Sequence, residues 1–221
     1  MRNPPLHLLR VPLGPLLGEA RLVGEGKADV FPVFYTEEAF GKAEQCSRKG
    51  AEINPRFESG AVLAGFLCTC PESGELFVVV TDTFEVTDAE STLVSLEYSG
   101  KSWARIQAVI KARQVADPAV RILGQAHGHN FVPNDGQTCA DCPKLEVCSS
   151  SNVFASTDDR NWTRAVFVRQ PWALCHIFGL TARGDLVQGL FTLHDARLLK
   201  RDFHILPGFD PGRHQTCTIT P

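Results

Sequence analysis

The stretch Glu58-Ser-Gly-Ala-Val-Leu-Ala-Gly-Phe-Leu67 is small and apolar from Gly60 onward, with no helical spacing of its apolar positions. That pattern predicts a strand buried on both faces, with Glu58 at its entrance. Upstream, Thr36 to Lys49 combines strong helix formers with acids early and bases late, and so predicts a helix aligned with its own macrodipole. Downstream, Pro71-Glu-Ser-Gly74 reads as a hairpin turn. The β-branched run from Leu76 to Val80 reads as a strand that continues toward Val86 after a break at Thr81 and Asp82.

Farther along, Ser102 to Val115 sets Trp103, Ile106, Val109 and Ile110 at helical spacing, predicting one buried stripe opposite Arg and Lys. Arg121 to Ala126 reads as a short strand that delivers His127 and His129 at its end, where a rigid scaffold presents functional groups. Ala165 to Arg169, Ala173 to Leu180 and Leu186 to Leu193 alternate with turn signals and read as three more strands, mostly antiparallel. From Lys200 onward, Pro207, Gly208, Pro211 and Gly212 predict an irregular arm. The expected class is α/β, a mixed and mostly antiparallel sheet flanked by helices. The expected layout is an N-terminal extension over 1–30, a domain over 31–200 with an insert at 131–153, and a C-terminal arm over 201–221.

With 221 residues, 43% hydrophobic and 21% charged, the composition is that of a globular chain with one core. A net charge of -3 supplies no field to hold nucleic acid, so that partner is not expected. Pro4, Pro5, Pro12, Pro15, Arg10 and Glu19 interrupt the apolar N-terminus, so neither a membrane span nor a signal peptide is expected. Eight cysteines are too few for a disulfide scaffold, and three of them, Cys139, Cys142 and Cys148, fall in one segment. That clustering points to metal or free thiols and to a cytoplasmic setting.

Two histidines one residue apart on an extended backbone point to the same side, so His127 and His129 can chelate one ion. Downstream, Ser156-Thr-Asp-Asp159 reads as a helix start, with Ser at the cap and an acid in the first turn. Ordinary capping explains that motif by itself. Joined to the two histidines, however, Asp159 makes a third ligand and leaves the fourth tetrahedral position to water, the pattern of catalytic zinc.

In this order, a Glu running into a small apolar strand, H-x-H at a strand end and S-x-x-D at a helix start, the chain resembles the JAB1/MPN/Mov34 (JAMM) zinc metalloproteases, in a prokaryotic-type form with a Cys-containing insert. The resemblance spans about residues 36 to 193 and implies layers like those of cytidine deaminases. It also implies a catalytic zinc on His127, His129 and Asp159, Glu58 as the proton carrier and Ser156 as donor to the oxyanion. The implied reaction is hydrolysis of an amide or isopeptide bond in the tail of a ubiquitin-like protein or of a small sulfur carrier. A metal-free scaffold of the same fold that only binds partner proteins is the competing reading.

The pattern departs from the family in one stretch. Asn130 stands where Pro usually follows the second His, and 27 positions separate His129 from Ser156. Lengthening that loop by about two doublings costs only about 1.2 kcal/mol of closure entropy, which leaves an assembled site feasible. Within the insert, Cys139-Ala-Asp-Cys142 and Cys148 offer three ligands for a second, structural zinc, with reduced thiols as the plain alternative and an iron–sulfur cluster behind both. Zinc deaminases show H-x-E followed by P-C-x-x-C. Here His129 takes the place of that Glu and Thr138 the place of that Pro, so the deaminase reading is weaker. His176, in an apolar strand, reads as a satisfied core residue, and Trp172 reads as packing.

Overall fold

A computed structural model of the chain describes residues 5–24, 31–53, 58–86, 90–91, 96–97, 100–129, 153, 155–167, 170–180, 186–194 and 197–219. In chain order the elements begin with strand β1 (Leu6–Arg10), helix α1 (Leu13–Glu19), β2 (Arg21–Val23), β3 (Val33–Thr36), α2 (Glu37–Ile53), β4 (Gly60–Thr69) and β5 (Leu76–Glu85). A two-residue pair, β6 (Glu90–Ser91) and β7 (Leu96–Glu97), then leads to α3 (Gly100–Ala116) and β8 (Val120–Gly128). The rest is α4 (Thr157–Val166), β9 (Leu174–Leu180), β10 (Leu186–His194), β11 (Arg197–Arg201), β12 (Phe203–Leu206) and β13 (Gln215–Ile219).

Eleven strands form one sheet in the order β11-β10-β9-β8-β4-β5-β3-β12-β2, with β1 beside β4 and β13 beside β1. Six of its pairings are antiparallel and four are parallel. The class is α/β with a mixed sheet, as the sequence predicts. β4 is its centre, and nine of its ten residues are buried. Leu63 and Leu67 pack on the face covered by Ala39 and Ala43 of α2. Val62, Ala64 and Phe66 pack on the other face, against Leu13 of α1 and Ile106 and Ile110 of α3. A near-continuous apolar run is what such double burial requires, each large side chain contributing about 1.5–3 kcal/mol.

The break expected at Thr81 is a β-bulge. Gly65 pairs with Val80 and Ala64 with Asp82, so Thr81 is an extra residue in β5. On the opposite edge of β4 the same thing happens again: Leu63 pairs with Gly124 and Ala64 with Ile122, leaving Leu123 as the extra residue in β8. Two bulges facing one point of β4 curl the sheet there, since a bulge bends and twists its strand. Gly65 is at that point, and a Cβ on it would meet the Val79 carbonyl oxygen at 2.1 Å.

The β8 bulge also reverses the facing of the residues after it. Val120 and Ile122 look toward α3, whereas Leu123 and Ala126 look toward α2. Gln125, His127 and His129 are thereby turned to the side on which α3 and α4 lie.

Several expectations are corrected. Ala165–Arg169 is not a strand: Ala165 and Val166 form the last turn of α4, Phe167 is its C-cap, and 168–169 lie outside the described residues. Ser156 starts a helix strongly enough to carry it through Val166, overriding the short apolar run. The stretch from Lys200 is not an irregular arm. Its Pro and Gly residues gather in one turn around Pro211–Arg213, flanked by β12, which pairs with β3 and β2, and by β13, which pairs with β1. Residues 6–23, read as an extension, likewise add β1 and β2 to the same sheet. Val109 is 37% exposed, so the α3 stripe is narrower than its spacing suggests. The helix expected over 36–49 runs on to Ile53, with Thr36 Oγ1 accepting from the Ala39 N–H at 3.2 Å. No helix among the described residues is long and apolar enough to cross a membrane.

Gly128, between the two histidines, faces α2, and a Cβ there would lie 2.2 Å from the Ser47 carbonyl oxygen. Gly128→Ala must push α2 off β8 and is expected to lower stability by about 1–3 kcal/mol in urea titration, as overpacking of a full core does. A variant as stable as the parent would contradict this close approach.

Candidate metal centre

β8 ends at Gly128, and the His129 N–H donates to the Phe178 carbonyl at 2.8 Å, so β9 keeps the backbone extended through both histidines. Their side chains share the face set by the Leu123 bulge. α4 supplies the third group from a distant part of the chain. Ser156 is its N-cap: Ser156 Oγ accepts from the Asp159 N–H at 3.1 Å, and Asp159 Oδ2 accepts from the Ser156 N–H at 2.7 Å. This reciprocal capping box fixes the Asp159 rotamer, and the positive end of α4 favours its charge.

The fixed carboxylate reaches both rings. Asp159 Oδ1 is 2.9 Å from His127 Nε2 and Oδ2 is 3.3 Å from His129 Nε2, while the two Nε2 atoms are 3.2 Å apart. Adjacent donors around a tetrahedral zinc with bonds near 2.05 Å are about 3.3 Å apart. Each pair of groups thus stands near ligand spacing, with the two contacts to Asp159 made by its two different oxygens, and imidazole and carboxylate donors suit zinc. Burial pushes the Asp159 carboxyl up, but hydrogen bonds and charge from His127 and His129 outweigh it and hold the group well below the usual carboxylate range.

Glu58 is next to this triangle. Gly60 pairs with His127, and the Gly128 N–H donates to the Ser59 carbonyl at 2.9 Å, which sets Glu58 beside His129 across the strands. Ser59 Oγ anchors that backbone to α2, accepting from the Gly50 N–H at 2.7 Å and donating to the Cys46 carbonyl at 2.8 Å. Burial raises the Glu58 carboxyl to about 7; His129 pulls it down and Asp159 pushes it up.

All five residues singled out in the sequence, Glu58, His127, His129, Ser156 and Asp159, thus converge on one spot. Cys139, Cys142 and Cys148 lie outside the described residues. One neighbour escaped the sequence reading. Cys175 of β9 pairs with Gln125 and faces the same side as His127, with its thiol, a ring nitrogen of His127 and an oxygen of Asp159 all within 4.8 Å of one another. Nothing in Leu-Cys-His-Ile-Phe marks it, because only the β8–β9 register brings it there.

His176 faces the opposite core. It is fully buried against Tyr35, Phe40, Phe178 and Phe203, with Nδ1 3.1 Å from the Tyr35 hydroxyl and Nε2 2.7 Å from Gln188 Oε1. Burial is the main cause that pulls its pKa from 6.5 down to about 4; the Gln188 hydrogen bond opposes this and the charge of His127 adds to it. Between those values the unfolded chain takes up a proton that the folded one refuses, so stability is lost as pH falls from 6.5 toward 4. The loss approaches about 3 kcal/mol. Urea titrations over that range are expected to show the decline in the parent and a flatter profile in His176→Gln.

No family model matches the chain, and no curated protein matches it. Among solved structures, the solution structure of protein DSY2949 from Desulfitobacterium hafniense is similar with a TM-score of 0.50 and 14% identity, over 83% of this chain and 99% of that one. At that identity the likeness concerns the fold alone.

Proposed function

We propose that the chain is a JAMM-type zinc peptidase that hydrolyses an amide or isopeptide bond in the tail of a ubiquitin-like protein. The observation that carries this reading is the convergence of His127, His129 and Asp159 at 2.9–3.3 Å beside Glu58, with Ser156 at the cap of the same helix. An ordinary capping box needs neither two imidazoles nor a half-buried carboxyl across the strand.

A bound zinc supplies Lewis acidity and makes hydroxide available near neutral pH. Glu58 accepts the water proton and passes it to the leaving amine. Its environment favours this shuttle, because burial holds it near 7 while a cation alongside draws it back toward the ionised form. Ser156 Oγ already accepts one N–H, so its own hydroxyl proton remains to be donated to the developing oxyanion, a contribution of about 3 kcal/mol. His127, His129 and Asp159 would hold the metal, with Asp159 fixed in place by Ser156. The substrate tail enters extended, as an added strand.

Elemental analysis and cleavage assays test the reading together. The Cys139→Ser, Cys142→Ser, Cys148→Ser protein is expected to bind one zinc per chain and to cleave a fusion to either a ubiquitin-like protein or a small sulfur carrier. A second equivalent present only in the parent assigns the insert's thiols as a structural zinc site. Zinc absent from the triple variant, or neither fusion cleaved, defeats the peptidase.

A further inference from the structure

His127 and Asp159 are one edge shared by two sets of donors. On the outer side the third donor is His129, next to Glu58. On the inner side it is Cys175, fully buried, whose Sγ stands within 4.8 Å of a His127 ring nitrogen and an Asp159 oxygen. The β8–β9 register holds Cys175 opposite Gln125, on the face that carries the histidines, where Gln125 Nε2 at 3.9 Å and the Thr163 side chain are its hydrogen-bonding neighbours. A sulfur and a nitrogen on the same tetrahedral zinc are about 3.6 Å apart, so an approach of up to about 1.2 Å toward the His127–Asp159 edge brings the Cys175 sulfur to ligand spacing from both.

We infer that Cys175 is a fourth protein ligand, giving the centre a closed resting form bound by His127, His129, Asp159 and Cys175; the inference rests on the metal reading above. On binding, the sulfur–metal bond forms as the S–H bond breaks, and the proton passes to solvent. Closure fills the corner that water needs, so the sulfur has to give that corner up to water in each round of cleavage. A thiolate in the set also favours thiophilic ions such as zinc and cadmium over magnesium or manganese.

The test uses the full chain carrying Cys139→Ser, Cys142→Ser and Cys148→Ser, loaded with cobalt. A thiolate-to-cobalt charge-transfer band in the near ultraviolet is expected, and it is expected to vanish on adding Cys175→Ser. Competition with a chromophoric chelator should show zinc bound at least roughly tenfold more weakly by that variant, since even a supporting partner of a ligand is worth that much. Cadmium NMR of the Cys175-containing protein, where one sulfur ligand shifts the resonance strongly downfield, gives the same answer should Cys175→Ser fail to fold. Stoichiometric cobalt without the band, or a band that survives Cys175→Ser, overturns Cys175 as a ligand and leaves the outer centre standing. No cobalt bound to either protein overturns both.

Discussion

Glu58→Gln is expected to lower kcat/KM for tail cleavage by roughly a hundred- to ten-thousandfold, the usual worth of a positioned general acid–base. The amide has nearly the same shape, cannot accept the water proton and is uncharged at every pH. Ser59 ties the strand entrance to α2. Zinc content should stay at the parental value while turnover collapses. A variant retaining more than a tenth of parental kcat/KM would remove Glu58 from proton transfer.

Asp159→Ala is expected to fail in two ways at once. Losing one ligand removes a share of the 10–16 kcal/mol typical of structural zinc sites, about 3 kcal/mol or more, so zinc affinity should drop by over roughly a hundredfold. The metal-free protein should also lose about 1–2 kcal/mol in urea titration, because Ser156 loses its reciprocal partner in the capping box. Asp159→Asn separates the two, since its side-chain oxygen can still accept from the Ser156 N–H while the charge is gone. The sign with pH follows from the depressed Asp159 carboxyl: its contribution is present above the ordinary carboxylate range and is lost on acidification below it. Asp159→Ala should thus show a shallower acid limb than the parent. Parental zinc affinity in Asp159→Ala would exclude the carboxylate from the centre.

The parts of this molecule legible in its sequence are those whose pattern is local. The apolar run of β4, the dipole-matched α2 and the cap at Ser156 each announce themselves within about a dozen residues, because burial, helix dipole and capping act over that range. The candidate site was legible for a different reason: H-x-H and S-x-x-D are short patterns, and the fold brings their side chains to within 2.9–3.3 Å of one another. What escaped was long-range pairing. β12 and β13 become strands by joining β3 and β1, at the other end of the chain, and their Pro and Gly neighbours conceal this. Ala165–Arg169 looked like a strand because five residues cannot report the helix that runs into them. Cys175 was invisible because its meaning comes entirely from the residue opposite it in another strand.

The extra residue at Leu123 imposes a parity rule on this part of the chain. Strand side chains alternate, so inserting or deleting one residue between Val120 and Ala126 would swing both imidazoles to the α2 side, where Asp159 cannot meet them. A change of two residues would keep their facing and only slide them along the strand. In any lineage of such chains, then, length can drift here in even steps at modest cost. A single odd step, harmless to the composition of the core, takes both imidazoles away from Asp159.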